Sequence, residues 1–85
     1  MNTAFLLMAQ YQRAAVPLNE ISEDYLGLTA RKANEMASLN RLPLPTFRAS
    51  DSQKAPRMVH IADLAAHLDR QREEAKKQWE RSQTI

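Results

Sequence analysis

The sequence predicts a mainly helical domain that carries one small β-hairpin and ends in a long helix. Three observations predict it. Apolar residues recur at helical spacing in several short segments, two of which meet at the only glycine of the 85-residue chain. Two short β-like runs flank a polar stretch in the middle of the chain. From residue 62 to residue 82 no proline or glycine interrupts a helix.

Residues 3–12 form the first expected helix, with Thr3 a candidate cap and Phe5, Leu6, Met8 and Ala9 on a helical stripe. Pro17 disfavours helix at the residue before it, so 15–18 reads as a break. A second helix opens with Asn19 as N-cap, places Glu20 and Glu23 where the helix dipole favours them, and buries Leu18, Ile21 and Tyr25. Gly27 ends it. Thr29 then caps a third helix over 30–40, with Ala33, Met36, Ala37, Leu39 and Asn40 facing inward. Two short helices joined by a tight glycine turn form a helix-turn-helix unit.

Pro43 and Pro45 exclude a helix over 42–48, and the run fits an edge strand. Residues 49–56 are a polar turn, and Met58–Ile61 is a second β-like run, so the two make a hairpin. The last helix, 62–82, is roughly 32 Å long at 1.5 Å per residue. Leu64, Ala65 and Leu68 pack it on the core, and Arg70–Glu74 and Glu73–Lys77 support its polar half. The order is that of a winged helix-turn-helix domain over 1–70, followed by a helical extension over 71–85.

Composition narrows the function. The chain is 44% hydrophobic and 26% charged, which is globular, and it has no cysteine for a disulfide or a thiolate metal site. A single glycine cannot build a phosphate-cradling loop. No apolar run approaches the ~20 residues of a membrane span, and the N-terminal apolar patch lacks the flanks of a signal peptide. A cytoplasmic protein at the nucleoid is expected, without membrane contact. His60 and His67, even with Asp63 and Asp69, are too few ligands for a metal site. His60 is expected half-buried in its strand and His67 on the helix surface. Ser22, Ser38, Ser50 and Ser52 stand in no nucleophile context. Neither catalysis, a metal nor a cofactor is expected.

The charge is unevenly placed. Residues 28–61 hold six basic side chains against two acidic ones, whereas 1–27 are net acidic and 62–85 are balanced. A basic segment in a balanced domain is the footprint of a polyanion. On the third helix Arg31, Asn34, Glu35 and Ser38 share one face, flanked by Lys32 and followed by Arg41. Arg pairs bidentately with guanine and Asn with adenine, so this face suits a major groove, and the Thr29 hydroxyl suits a phosphate. Arg48, Ser50, Ser52, Gln53, Lys54 and Arg57 give the hairpin the donors and cations that contact a backbone or minor groove. The bland alternative for both elements is solvated surface. On the last helix Leu68, Ala75 and the pair Arg72 and Trp79 repeat at seven-residue spacing, and an aromatic on a charged stretch suits a helix–helix contact between two copies.

The runs Asn2–Tyr11, Val16-Pro17-Leu18, Ser52-Gln53-Lys54-Ala55 and Val59–Arg72 resemble the pyocin activator protein PrtN family over about residues 1–75. The resemblance implies a small bacterial or prophage-borne regulator with an excisionase-like winged fold. It implies binding to a short box in double-stranded DNA upstream of bacteriocin or prophage genes, and activation of their transcription. Acting as a homodimer, such a protein would place helix 30–40 in the major groove and use loop 48–57 as the wing, with contact to RNA polymerase one route to activation. The alternatives are an excisionase-like architectural DNA-binding protein and a phage-encoded adaptor that binds a host protein.

Overall fold

A computed structural model of the chain describes residues 2–83, so the last two residues of the expected 71–85 extension lie outside the described residues. Four helices and three strands follow in the order α1 (Thr3–Tyr11), β1 (Ala15–Pro17), α2 (Leu18–Leu26), α3 (Ala30–Ser38), β2 (Phe47–Arg48), β3 (Arg57–His60) and α4 (Ile61–Gln83). The mainly helical class with a small β element is what the sequence predicts. The sheet is larger than the predicted hairpin, because β3 pairs antiparallel with β2 on one side and with β1 on the other.

β1 falls where Pro17 predicts only a break. Three residues ending in proline carry no strand periodicity of their own. Their conformation comes from a non-local pairing in which Val16 faces Val59, both fully buried. Ile61 N–H donates to Ala14 O at 2.8 Å just beyond this ladder, so the start of α4 is fastened to the end of the α1–β1 link. β2 is correspondingly short: only Phe47 and Arg48 are strand, and the proline-bearing residues 42–46 form a loop.

Helix ends differ from expectation by local chemistry. Asn2, not Thr3, caps α1, its Oδ1 accepting from Ala4 N–H at 2.8 Å. The Thr3 hydroxyl donates instead to Asp69 Oδ1 at 2.7 Å and ties α1 to α4. α2 opens at Leu18 directly after Pro17, so Asn19 lies inside the helix instead of capping it. α3 ends at Ser38, two residues early, because Asn40 takes a left-handed conformation (φ 53°). Asn40 N–H then reaches Ala37 O and Arg41 N–H reaches Met36 O, which closes the last turn. Leu39, expected inside, is consequently 61% exposed.

One cluster forms the core: Leu7 from α1, Val16, Leu18 and Ile21, Ala33 and Ala37 from α3, Leu44, Val59, and Ile61, Leu64 and Ala65 from α4. Tyr11 and Tyr25 join α1 to α2 at its edge. Burial and the hydrogen bond with Tyr25 push the Tyr11 phenol up to about 12. His60 is half-buried as expected, and its Nδ1 accepts from Ala62 N–H at 3.0 Å, capping α4. His67 is not on the surface; it is 5% exposed. Arg70, one turn further on, donates to Pro43 O at 3.2 Å and holds the 42–46 loop over this flank of α4. Burial, reinforced by the charge of Arg70, lowers the His67 pKa from its ordinary 6.5.

That shift makes stability depend on pH. The unfolded chain takes up the imidazole proton more readily than the folded one, so stability is full above pH 6.5 and falls as pH drops through the lowered folded-state value. Denaturant titrations between pH 5 and 7.5 are expected to show this decline, and His67→Leu is expected to flatten it. Ser22 is fully buried with an unpartnered Oγ. Ser22→Ala is therefore expected to leave stability unchanged or raise it by up to ~1 kcal/mol in the same titration.

Candidate nucleic-acid interface

The interface predicted from charge is built on α3 and the β2–β3 hairpin. α3 is set by its two alanines. Ala33 and Ala37 are buried one turn apart, and their small side chains let the helix lie close to α2. The turn between the helices requires Gly27, whose φ is +66° and whose N–H closes on Ser22 O. No atom would obstruct a side chain there, so the backbone angle alone selects glycine. Thr29 Oγ1 accepts from Lys32 N–H at 3.2 Å and fixes the start of α3, so this hydroxyl is engaged within the helix cap.

Packing of the alanine face leaves Arg31, Lys32, Glu35 and Ser38 exposed on the outside. Arg31 Nε lies 3.4 Å from Glu35 Oε1. At 91% and 56% side-chain exposure this pair is screened by water and offers little resistance to a competing anion. Ser38 Oγ donates to Glu35 O at 2.7 Å. Asn34 behaves differently from its expected companions. It is half-buried, and its amide donates to Ala30 O at 2.7 Å and to Asn19 Oδ1 at 3.4 Å, across to α2. Arg41 is exposed just past the closing turn. Beyond it, Ala37, Asn40 and residues 42–46 line a groove of about 350 Å³.

The hairpin tip is organised by its own polar side chains. Arg48 Nη1 donates to Gln53 O at 2.8 Å and to Ala55 O, so one guanidinium gathers the loop beneath it. Ser50 Oγ accepts from Ser52 N–H and Ser52 Oγ accepts from Lys54 N–H, two local turns that shape residues 50–54. Ser50, Ser52, Gln53 and Lys54 are all exposed. At the base, Arg48 stands opposite Arg57 in the ladder, both half-buried. Like charges facing each other across strands destabilise a sheet. An anion beside them would remove that penalty.

The predicted contacts on α4 are divided. Leu68 is half-buried against the core of its own chain, while Arg72, Ala75 and Trp79 are exposed, Trp79 at 62%. Among the described residues, no group of three or more histidine, aspartate and glutamate side chains could hold a metal ion, and no helix is long and apolar enough to cross a membrane. The sequence reading missed two exposed apolar neighbours of the basic surface, Leu39 and Phe47, the latter 42% exposed. Phe47 carried a readable signal, since it sits in a two-residue edge strand beside Arg48. Leu39 did not, because its exposure follows from where Asn40 stops the helix.

Compared with known proteins, residues 3–75 match the family model described as Pyocin activator protein PrtN. No curated protein and no solved structure matches the chain.

The loop depends on one side chain. Arg48→Ala is expected to raise hydrogen exchange of the amides from Ser50 to Ala55 at least about tenfold while leaving the protection of α2 and α4 unchanged, as a local opening does.

Proposed function

The chain belongs to the pyocin activator protein PrtN family, a regulatory and not an enzymatic family, and from that premise we propose that it activates transcription by binding duplex DNA as a winged helix-turn-helix protein. α3 enters the major groove with Arg31, Lys32, Glu35 and Ser38 toward the bases, and the loop over 48–57 follows the backbone as the wing. Asn34 and Arg48, engaged inside the domain, support these elements, one by bracing α3 on α2 and the other by shaping the loop. Lys54, Arg41 and Arg57 supply phosphate contacts, and two chains acting together would read half-sites about one helical turn apart.

The observation that carries this reading is the division of α3. Its alanine face is consumed by α2, and its opposite face, basic and exposed, has no packing role in the domain. The Arg48–Arg57 juxtaposition adds a second cationic element that an anion would relieve. Glu35 fits the same arrangement, since a carboxylate beside Arg31 accepts from cytosine N4 in the major groove and finds no donor on the major-groove edge of guanine.

Binding to a selected duplex should weaken steeply with salt, by close to one log–log unit per neutralised phosphate. Arg31→Ala is expected to cost about 1–3 kcal/mol and to relax preference at one position of the site. Lys54→Ala is expected to weaken binding to all duplexes alike and to lower the salt slope by about one. Fluorescence anisotropy across a salt series measures both. Unchanged affinity in both variants, or a shallow slope, would contradict the assignment and point to an acidic protein as the partner.

A further inference from the structure

α3 ends on a fixed backbone. Asn40 is left-handed, its N–H donates to Ala37 O at 3.0 Å, and Arg41 N–H donates to Met36 O at 2.9 Å. Two such bonds around a left-handed residue make the Schellman ending of a helix. Leu39 is the C-cap residue inside this closure, with φ −100° and ψ 5°. The chain leaves the helical spiral at Asn40, so Leu39 still occupies a helical position. A leucine in a loose loop is free to turn back onto the core. This one is held outward, 61% exposed.

The helical angles set where it is held. At about 100° per residue, Leu39 lies roughly 20° from Lys32, 40° from Glu35 and 80° from Arg31 around the axis, and at least about 120° from Ala33 and Ala37. Arg31, Glu35 and Leu39 therefore form one i, i+4, i+8 line on the outer face, away from the buried alanines. Arg41 stands exposed just past its end. Exposure alone says nothing, since single apolar side chains are common on protein surfaces. Leu39 differs in being fixed by its backbone and set among the cations Arg31, Lys32 and Arg41. Whatever covers it has to offer a small apolar group close to negative charge.

We infer that Leu39 is a specificity-determining residue that packs on the C5-methyl group of a thymine in the major groove. Of the four bases, thymine alone presents an apolar group there, and the phosphates flanking the groove supply the negative charge. Leu39 lies about 6 Å along the axis from Glu35 and about 12 Å from Arg31 at 1.5 Å per residue. Twelve ångströms cover three to four base pairs at about 3.4 Å per step. A helix lying in the groove reads bases over such a length. The thymine is thus expected one or two base pairs from the position that Glu35 reads. The contact needs no hydrogen bond, because it removes apolar surface of both partners from water. This inference rests on the reading of α3 as the major-groove helix and adds a base preference to it.

Exchanging thymine for deoxyuridine removes the methyl group and leaves base pairing intact. In the duplex recovered by selection, each thymine is exchanged in turn and binding of the full chain is followed by fluorescence anisotropy. At one thymine the exchange is expected to weaken binding about fourfold, the worth of one buried methyl group. Leu39→Ala is expected to weaken binding to the thymine duplex and to bring the thymine-to-uridine ratio at that position to about one, whereas Lys54→Ala keeps the ratio. Leu39 is exposed, so its variant retains the fold, which circular dichroism checks. A motif without thymine, indifference to every exchange, or a Leu39→Ala chain that keeps the methyl preference would overturn the proposal. The affinity and salt slope of the unaltered chain on the unmodified duplex report on DNA binding itself. Steep, salt-dependent binding that ignores the methyl group contradicts the Leu39 contact alone, and absence of binding contradicts both.

Discussion

The pairing of β1 with β3 holds the rest of the structure in place. β3 is the middle strand, four residues long, and it contacts both ends of the chain's layout. On one side Val16 meets Val59 in the core, which fixes the link between α1 and α2. On the other side β2 hangs the loop of residues 49–56 from the same strand. α4 follows β3 without a connecting residue, so its direction is set by the strand as well. An 85-residue chain without disulfides has only a modest core, and one central strand economises on the contacts needed to orient three separate elements.

This arrangement separates structural work from the surface left over. α3 is held by alanines, the smallest side chains that bury, so Arg31, Lys32 and Glu35 lie exposed away from them. The hairpin is shaped by Arg48 and by serines bonding within the loop, which leaves Lys54 and Gln53 side chains outward. α4 uses its first turns for the core and sends the remainder into solvent with a tryptophan on it. Membership of the pyocin activator family gives the regulatory role, and this division of labour leaves the outer face of α3 and the end of α4 outside the packed core.

Much of the helical layout was legible because it rests on local chemistry. Gly27 and Thr29 mark a stop and a start through backbone angle and a hydroxyl cap, both written in single residues. β1 was not legible: its partner lies more than forty positions away, and three residues ending in Pro17 show no alternation. His67 and Leu39 were misplaced for related reasons, since the burial of one depends on what the tertiary fold packs against α4 and the exposure of the other on Asn40 closing α3 early. In the candidate interface, the basic excess between residues 28 and 61 could be read from charge alone. The internal duties of Asn34 and Arg48 could not, because a side chain's identity says what it can bond and not which partner reaches it first.

The central claim is sequence-specific recognition of duplex DNA by the α3 surface and the hairpin. Selection of the purified chain against random duplexes at low and near-physiological salt, followed by sequencing, tests it most directly. The account predicts a recovered motif that persists at the higher salt and is arranged as two related half-sites. Weak binding that yields no motif and vanishes as salt rises would contradict it.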